Sequence, residues 1–211
     1  MKYFDLLNKI LSEGKFQVNK KGTIKYLLNE ALDLSQEDIS DILKAKAIAK
    51  AKLKDELNLW MQGECSVLEY QKKGIFWWDY CGNELENTYP TYFSKLLNLI
   101  KKINSEKSNS KKYLLYVGET SVETNQLPCI SLIQFQINDG KLTMSAYIRS
   151  SDSTVGLPSD IYQLSLIANM IDVPLDKMCL FFGNVHIYEN NIEATKQLLS
   201  GDRNVKFTLN V

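Results

Sequence analysis

The chain has 211 residues, 45% hydrophobic and 24% charged, enough to bury one sizeable core. Its 25 basic and 25 acidic residues cancel, which argues against a general binder of nucleic acid or of membrane surfaces. No apolar run approaches the ~20 residues of a membrane span, and Asp5, Asn8 and Lys9 interrupt any signal-peptide pattern, so a cytoplasmic protein is expected.

In chain order, Phe4, Leu7 and Leu11 recur at helical spacing and run into Gly14, a C-cap residue. Residues 16–28 read as a strand pair turning through Asn19-Lys20-Lys21-Gly22. Ser35 is an N-cap with Glu37 and Asp38 in the first turn, where acids suit the helix dipole. One long helix is expected from there to Gly63, with Ile39, Ile42, Leu53, Leu57 and Trp60 on its buried stripe and the lysines of 44–54 on a solvated face. A short helix covers 66–73, followed by the aromatic run Phe76-Trp77-Trp78. A further amphipathic helix spans 92–103 and a polar loop 104–110. Lys111-Lys112 opens a strand over 113–117, a basic edge of the kind that discourages aggregation.

The centre of the sequence is a β-hairpin. Residues 130–138 are rich in β-branched and aromatic types, Asp139-Gly140 is a strong two-residue turn signal, and 141–148 alternate apolar and polar. Cys129 sits just before the first strand and Arg149-Ser150 leaves the second, so antiparallel pairing brings a thiol near a fixed positive charge. A guanidinium there favours the thiolate, the nucleophilic form. After the hairpin come a helix over 159–170, a strand over 178–182, a helix over 192–199 and a last strand over 205–211. The pattern is that of one α+β domain over 1–211, with helices packed on a mixed, mostly antiparallel sheet.

The four cysteines (Cys65, Cys81, Cys129, Cys179) form no C-x-x-C pair, and His186 is the one histidine. That argues against a zinc site, and no metal is expected. The scattered spacing also argues against disulfides.

The run Leu127-Pro128-Cys129, Gln134-Phe135, Asp139-Gly140-Lys141-Leu142, Arg149-Ser150-Ser151-Asp152 and Gly156-Leu157-Pro158 resembles the thymidylate synthase family, and Gly183-Asn184-Val185-His186-Ile187-Tyr188 resembles its second signature. The resemblance extends almost from end to end. It implies transfer of a one-carbon unit from 5,10-methylenetetrahydrofolate, or a related reduced pterin, to C5 of a pyrimidine nucleoside monophosphate. Cys129 would be the nucleophile at C6. Glu56, in the stretch Glu56-Leu57-Asn58-Leu59-Trp60-Met61-Gln62-Gly63, would move protons through water with Tyr92, matched to the family's tyrosine near the thiol. Arg149 and Ser150 would hold the phosphate, with Lys20 or Lys21 from the first hairpin turn. His186 and Tyr188 would hold the sugar, and Trp78 and Asp152 the folate. Lys111 and Lys112 stand where the family has an arginine pair that reaches the partner's phosphate, implying a homodimer through the sheet with shared sites. Where the family continues Trp-Asp-Glu-Trp, this chain has Trp78-Asp79-Tyr80-Cys81. Lysine in place of arginine keeps the charge and loses the bidentate fork.

Two departures bear on the product. The family's asparagine that reads uracil is Asp160 here. A carboxyl group suits the amino group and N3 of cytosine better than the O4 and N3–H of uracil, and the family's cytidylate hydroxymethylases also carry Asp. The chain is also expected to stop soon after its last strand, without the tail that closes over folate and excludes water. Both favour 5-hydroxymethylation of CMP or dCMP. The alternatives are a thymidylate synthase converting dUMP to dTMP, the small archaeal type with another pterin included, and a non-catalytic nucleotide-binding relative.

Overall fold

The structure is a computed structural model that describes residues 2–119 and 126–210. One six-stranded sheet carries the fold. Its strands are β1 (Lys15–Asn19), β2 (Gly22–Leu34), β3 (Leu114–Tyr116), β4 (Ile130–Asn138), β5 (Lys141–Asp152) and β6 (Leu175–Tyr188). The order across the sheet is β1-β2-β6-β5-β4-β3, and only β5 and β6 run parallel. The expected mixed, mostly antiparallel α+β architecture is the one observed. Among the described residues eight α-helices accompany the sheet: α1 (Tyr3–Glu13), α2 (Gln36–Ala45), α3 (Lys50–Gln62), α4 (Val67–Lys72), α5 (Tyr89–Phe93), α6 (Leu96–Glu106), α7 (Gly156–Ala168) and α8 (Ile192–Leu199).

The central hairpin forms as its sequence dictates. Asp139 and Gly140 both adopt positive φ (50° and 72°), as a two-residue turn matched to strand twist requires. Inward residues of β4 and β5 (Ile133, Phe135, Met144, Ala146, Ile148) join Leu164 and Ile167 of α7 in one core. That burial is the main force holding the helices to the sheet.

The far face of the sheet is uncovered in the single chain. Register places Tyr116, Leu132, Tyr147, Phe181 and Ala31 side by side across β3, β4, β5, β6 and β2. Tyr116, Tyr147 and Phe181 are 67%, 45% and 46% exposed, a contiguous apolar row.

Two expectations about the backbone are corrected. The helix expected from Ser35 to Gly63 is broken at Lys46–Ala49. Lys46 caps α2 with extended backbone, and its side chain turns inward and is only 5% exposed, so it lies on no solvated face. Alanine and lysine are both good helix formers, so nothing local announces the break. Residues 205–210 form no strand. They are held by a reciprocal pair in which Thr208 N donates to Asn191 Oδ1 (2.8 Å) and Asn191 Nδ2 donates to Thr208 O (2.9 Å). Residues 205–210 therefore lie against other elements, and the strand expected over 205–211 is not observed in its described part.

Candidate active site

A cavity of about 1030 Å³ opens between the sheet, α3, α7, the β1–β2 turn and the C-terminal segment. It contains Cys129, Glu56, Arg149, Ser150, Asp152, Asp160, His186, Tyr188, Lys20 and Trp78 in its wall. Residues as far apart in sequence as Lys20 and Tyr188 converge because the strand registers bring them together. Antiparallel pairing of β4 with β5 sets Ile130 opposite Ile148, which puts Cys129 beside Arg149. Parallel pairing of β5 with β6 sets Ser150 beside Asn184 and Asp152 beside His186. Gly183 allows this approach, since a Cβ there would lie 2.9 Å from both the Arg149 carbonyl oxygen and the Tyr147 hydroxyl.

The loop before Cys129 is clamped from β5. Arg149 N donates to Cys129 O at 2.9 Å, Nε to Pro128 O at 2.8 Å and Nη2 to Leu127 O at 2.5 Å. Burial pushes the Cys129 thiol up, aided by the Asp160 charge, while Arg149 and Lys21 pull it down. The expected activation by Arg149 is therefore outweighed by burial in this cavity. The guanidinium positions the thiol as much as it charges it.

Tyr92 does not reach the cavity. Its hydroxyl donates to Asn87 Oδ1 at the outer side of α5. Tyr89, one helical turn earlier, takes that place. It is buried in the cavity wall, and its hydroxyl accepts the N–H of Ile130 at 3.1 Å, next to Cys129. Positions three apart lie on neighbouring helix faces, so spacing alone left the two tyrosines nearly equivalent.

Glu56 is 2% exposed and bound by three donors. Trp77 Nε1 and Trp78 Nε1 each donate to Oε1 at 2.6 Å, and Gln163 Nε2 donates to Oε2 at 2.8 Å. Burial pushes its carboxyl up to about 7, opposed by these bonds. Asp160 rises to about 8, through burial first and then the charges of Glu56 and Asp152. Two carboxyls with raised pKa values thus share the cavity, Glu56 buried and Asp160 partly exposed.

The end of the cavity at the β1–β2 turn is basic. Asn19 Oδ1 accepts the Lys21 N–H at 2.8 Å and shapes the β1–β2 turn, and Lys21 Nζ lies 5.1 Å from the Tyr80 ring centre. His186 Nδ1 lies 3.0 Å from Asn184 Oδ1, and burial lowers the His186 pKa against the pull of Asp152. Lys111 and Lys112 are exposed just before β3, on the sheet edge and away from this chain's own cavity.

At the other end, Asp152 Oδ1 accepts both Thr154 N (2.8 Å) and Thr154 Oγ1 (2.7 Å). Lys46 Nζ is buried without a hydrogen-bond partner, 3.0 Å from the Phe207 ring centre. Burial pushes it down to about 7, against the Asp152 charge. Lys46, Tyr89, Gln163, Trp77 and Phe207 are site residues that sequence reasoning missed. Only Gln163 carried a signal, as one amide within the apolar helix stretch 161–168. No cluster of metal-ligating side chains occurs among the described residues.

The arrangement offers a thiol, a fixed guanidinium, two proton-exchanging carboxyls and an aromatic wall in one pocket, the parts needed for nucleophilic addition to a heteroaromatic ring. The family model described as Thymidylate synthase matches residues 1–211, and the chain belongs to that family. Its members are one-carbon transferases that act on pyrimidine nucleotides and take the carbon from methylenetetrahydrofolate.

Proposed function

We propose that this thymidylate synthase family member hydroxymethylates C5 of a cytosine nucleoside monophosphate, CMP or dCMP. The observation that carries the reading is Asp160, a carboxyl in the cavity wall whose pKa is pushed up to about 8 by burial and by the Glu56 and Asp152 charges. A protonated carboxyl presents one donor and one acceptor in a plane, matching N3 and the 4-amino group of cytosine. Cytosine N3 is also a stronger base than uracil O4, so it takes the shared proton more readily.

The chemistry follows from the site. The Cys129 thiolate bonds to C6, and the C5=C6 electron pair shifts toward N3, which takes the Asp160 proton. C5 becomes nucleophilic. Methylenetetrahydrofolate, when bound, would supply a carbon at the oxidation level of formaldehyde, and C5 and a water oxygen would take the two bonds that held it to the folate nitrogens. Glu56, through water and in reach of Tyr89, would carry the C5 proton and one water proton to those two nitrogens. Cys129 would depart as thiolate as N3 returns its proton to Asp160. No electrons are lost from the folate on this route. The reverse demand on Glu56, to take and return protons near neutrality, suits a carboxyl at about 7.

The residues fit such a cofactor. The cavity is large enough for a nucleotide with a second ring system. Trp77, Trp78 and Tyr80 give it an aromatic wall, Asp152 can bond a pterin N–H, and the orphaned ammonium of Lys46 suits the folate's carboxylates. Arg149, Ser150, Lys20 and Lys21 would take the phosphate, and His186 with Tyr188 the sugar. A homodimer through the uncovered sheet face would bury the Tyr116–Tyr147–Phe181 row and carry Lys111 and Lys112 to a partner's phosphate site. Sedimentation of the purified chain tests that part.

One observation favours the methylating alternative. Val205, Lys206, Phe207, Leu209 and Asn210 line the cavity, with Phe207 against Lys46, so a C-terminal segment stands beside the site as it does in the methylating reading. The C-terminal segment therefore lends no weight to hydroxymethylation, and the cytosine reading stands on Asp160. Its test is titration with CMP, dCMP, UMP and dUMP, followed by tryptophan fluorescence. Tighter binding of a cytosine nucleotide supports it, and tighter binding of dUMP or UMP rejects it.

A further inference from the structure

We propose that Gln163 is a positioning residue that makes Glu56 the ionised member of the Glu56–Asp160 carboxyl pair. Both carboxyls line one cavity, Glu56 fully buried and Asp160 recessed in the wall, and two neighbouring charges of one sign cannot both be favourable there. What separates them is the supply of donors. Glu56 receives three N–H groups from two elements: the Trp77 and Trp78 indoles on one oxygen, and the Gln163 amide on the other. Among the described residues, none donates to the Asp160 carboxyl in a hydrogen bond of this kind. A carboxylate that accepts several N–H bonds is favoured over its acid, so the proton is driven to Asp160.

Gln163 is suited to this task by its place. It lies three residues after Asp160 on α7, so one helix delivers both the proton-bearing carboxyl and the donor that holds the other carboxyl ionised. Its amide nitrogen is anchored a second time, donating to Leu53 O of α3 at 3.1 Å. The side chain is 4% exposed. The amide therefore spans α7 and α3, its nitrogen donating both to Leu53 O and to Glu56 Oε2.

The catalytic meaning rests on the reading above: base recognition needs the proton on Asp160, and proton removal from C5 needs Glu56 without one. The titration itself does not. The other groups that face Glu56 are Tyr70 from α4, Tyr89 from α5 and Asp160 from α7. Burial raises the pKa of both tyrosines, so neither titrates near neutrality.

The three tryptophans provide the test. Trp77 and Trp78 donate to Glu56, whereas Trp60 Nε1 is buried with no partner among the described residues. In the ¹⁵N-labelled full chain without ligand, two indole N–H signals should move together with one midpoint near neutral pH, and the third should stay. Gln163→Met, which keeps length and loses the donor, should raise that midpoint by about one unit, the size of one lost hydrogen bond to a charged acceptor. Gln163→Glu, which keeps shape and adds an acid, should raise it at least as far and serves if the methionine variant does not fold. A midpoint unmoved or lowered in a folded variant overturns the proposal. Lack of turnover in the wild type would instead reject the enzymatic reading and leave this result standing.

Discussion

Arg149 holds Cys129 through the main chain, its N–H 2.9 Å from the Cys129 carbonyl oxygen, while its guanidinium grips the carbonyls of Pro128 and Leu127. The residue proposed to bind phosphate is also the brace of the 127–129 loop. Arg149→Lys keeps a positive charge but cannot make both guanidinium bonds. The expected result is a fall of about 10- to 100-fold in kcat/KM, the value of one or two charge-assisted bonds. A loss confined to KM would mean that the brace is dispensable.

Glu56→Gln removes the proposed base and keeps the shape. Turnover should drop by about 10²- to 10⁴-fold, the usual contribution of a positioned acid or base. Stability should move the other way. The Glu56 carboxyl sits at about 7 in the folded chain against an ordinary value of 4.5, so the native chain binds the extra proton between those values. The wild type therefore loses stability as pH rises from 4.5 through 7, on the order of 3 kcal/mol, and the variant does not lose that share. Urea unfolding at pH 5 and pH 8 checks the difference.

Asp160→Asn should shift preference toward uracil nucleotides. An amide cannot pass a proton to N3, and it supplies the fixed donor and acceptor that O4 and N3–H need. The ratio of kcat/KM for CMP over UMP, and for dCMP over dUMP, reads the change directly. An unaltered ratio would remove Asp160 from base recognition.

Lys46→Met should stabilise the fold while weakening binding of the folate. The folded ammonium titrates at about 7 against 10.5 unfolded, so the cost of burying its charge is full below pH 7 and is relieved as pH rises toward 10.5. The variant's advantage in urea should be largest at pH 6 and shrink above pH 8. KM for methylenetetrahydrofolate should rise with kcat less affected. A folate KM equal to the wild type's would place Lys46 outside the cofactor's reach.

The parts of this site that were readable in sequence are those fixed by local rules. Asp139-Gly140 sets the hairpin turn, the turn sets the register, and the register puts Cys129 against Arg149. Asp160 and Ser159 sit on α7 because Gly156-Leu157-Pro158 opens it. What could not be read depends on tertiary packing. Lys46 looks like any lysine among alanines until the α2–α3 break turns it inward. Tyr89 and Tyr92 share a helix, and only packing against Trp60, whose ring centre is 4.2 Å away, selects Tyr89. The last residues have β-type composition, but the Asn191–Thr208 pair holds them across the cavity with no strand partner.

The central claim is the transfer itself and the base that receives it. The most direct measurement is release of tritium from 5-tritiated CMP, dCMP, UMP and dUMP, with and without methylenetetrahydrofolate, with the products taken to mass spectrometry and Cys129→Ala as the control. The predicted result is folate-dependent release from a cytosine nucleotide, a product heavier by CH₂O, and none from the alanine variant. Release from dUMP alone with a methylated product, or release that survives Cys129→Ala, would contradict it.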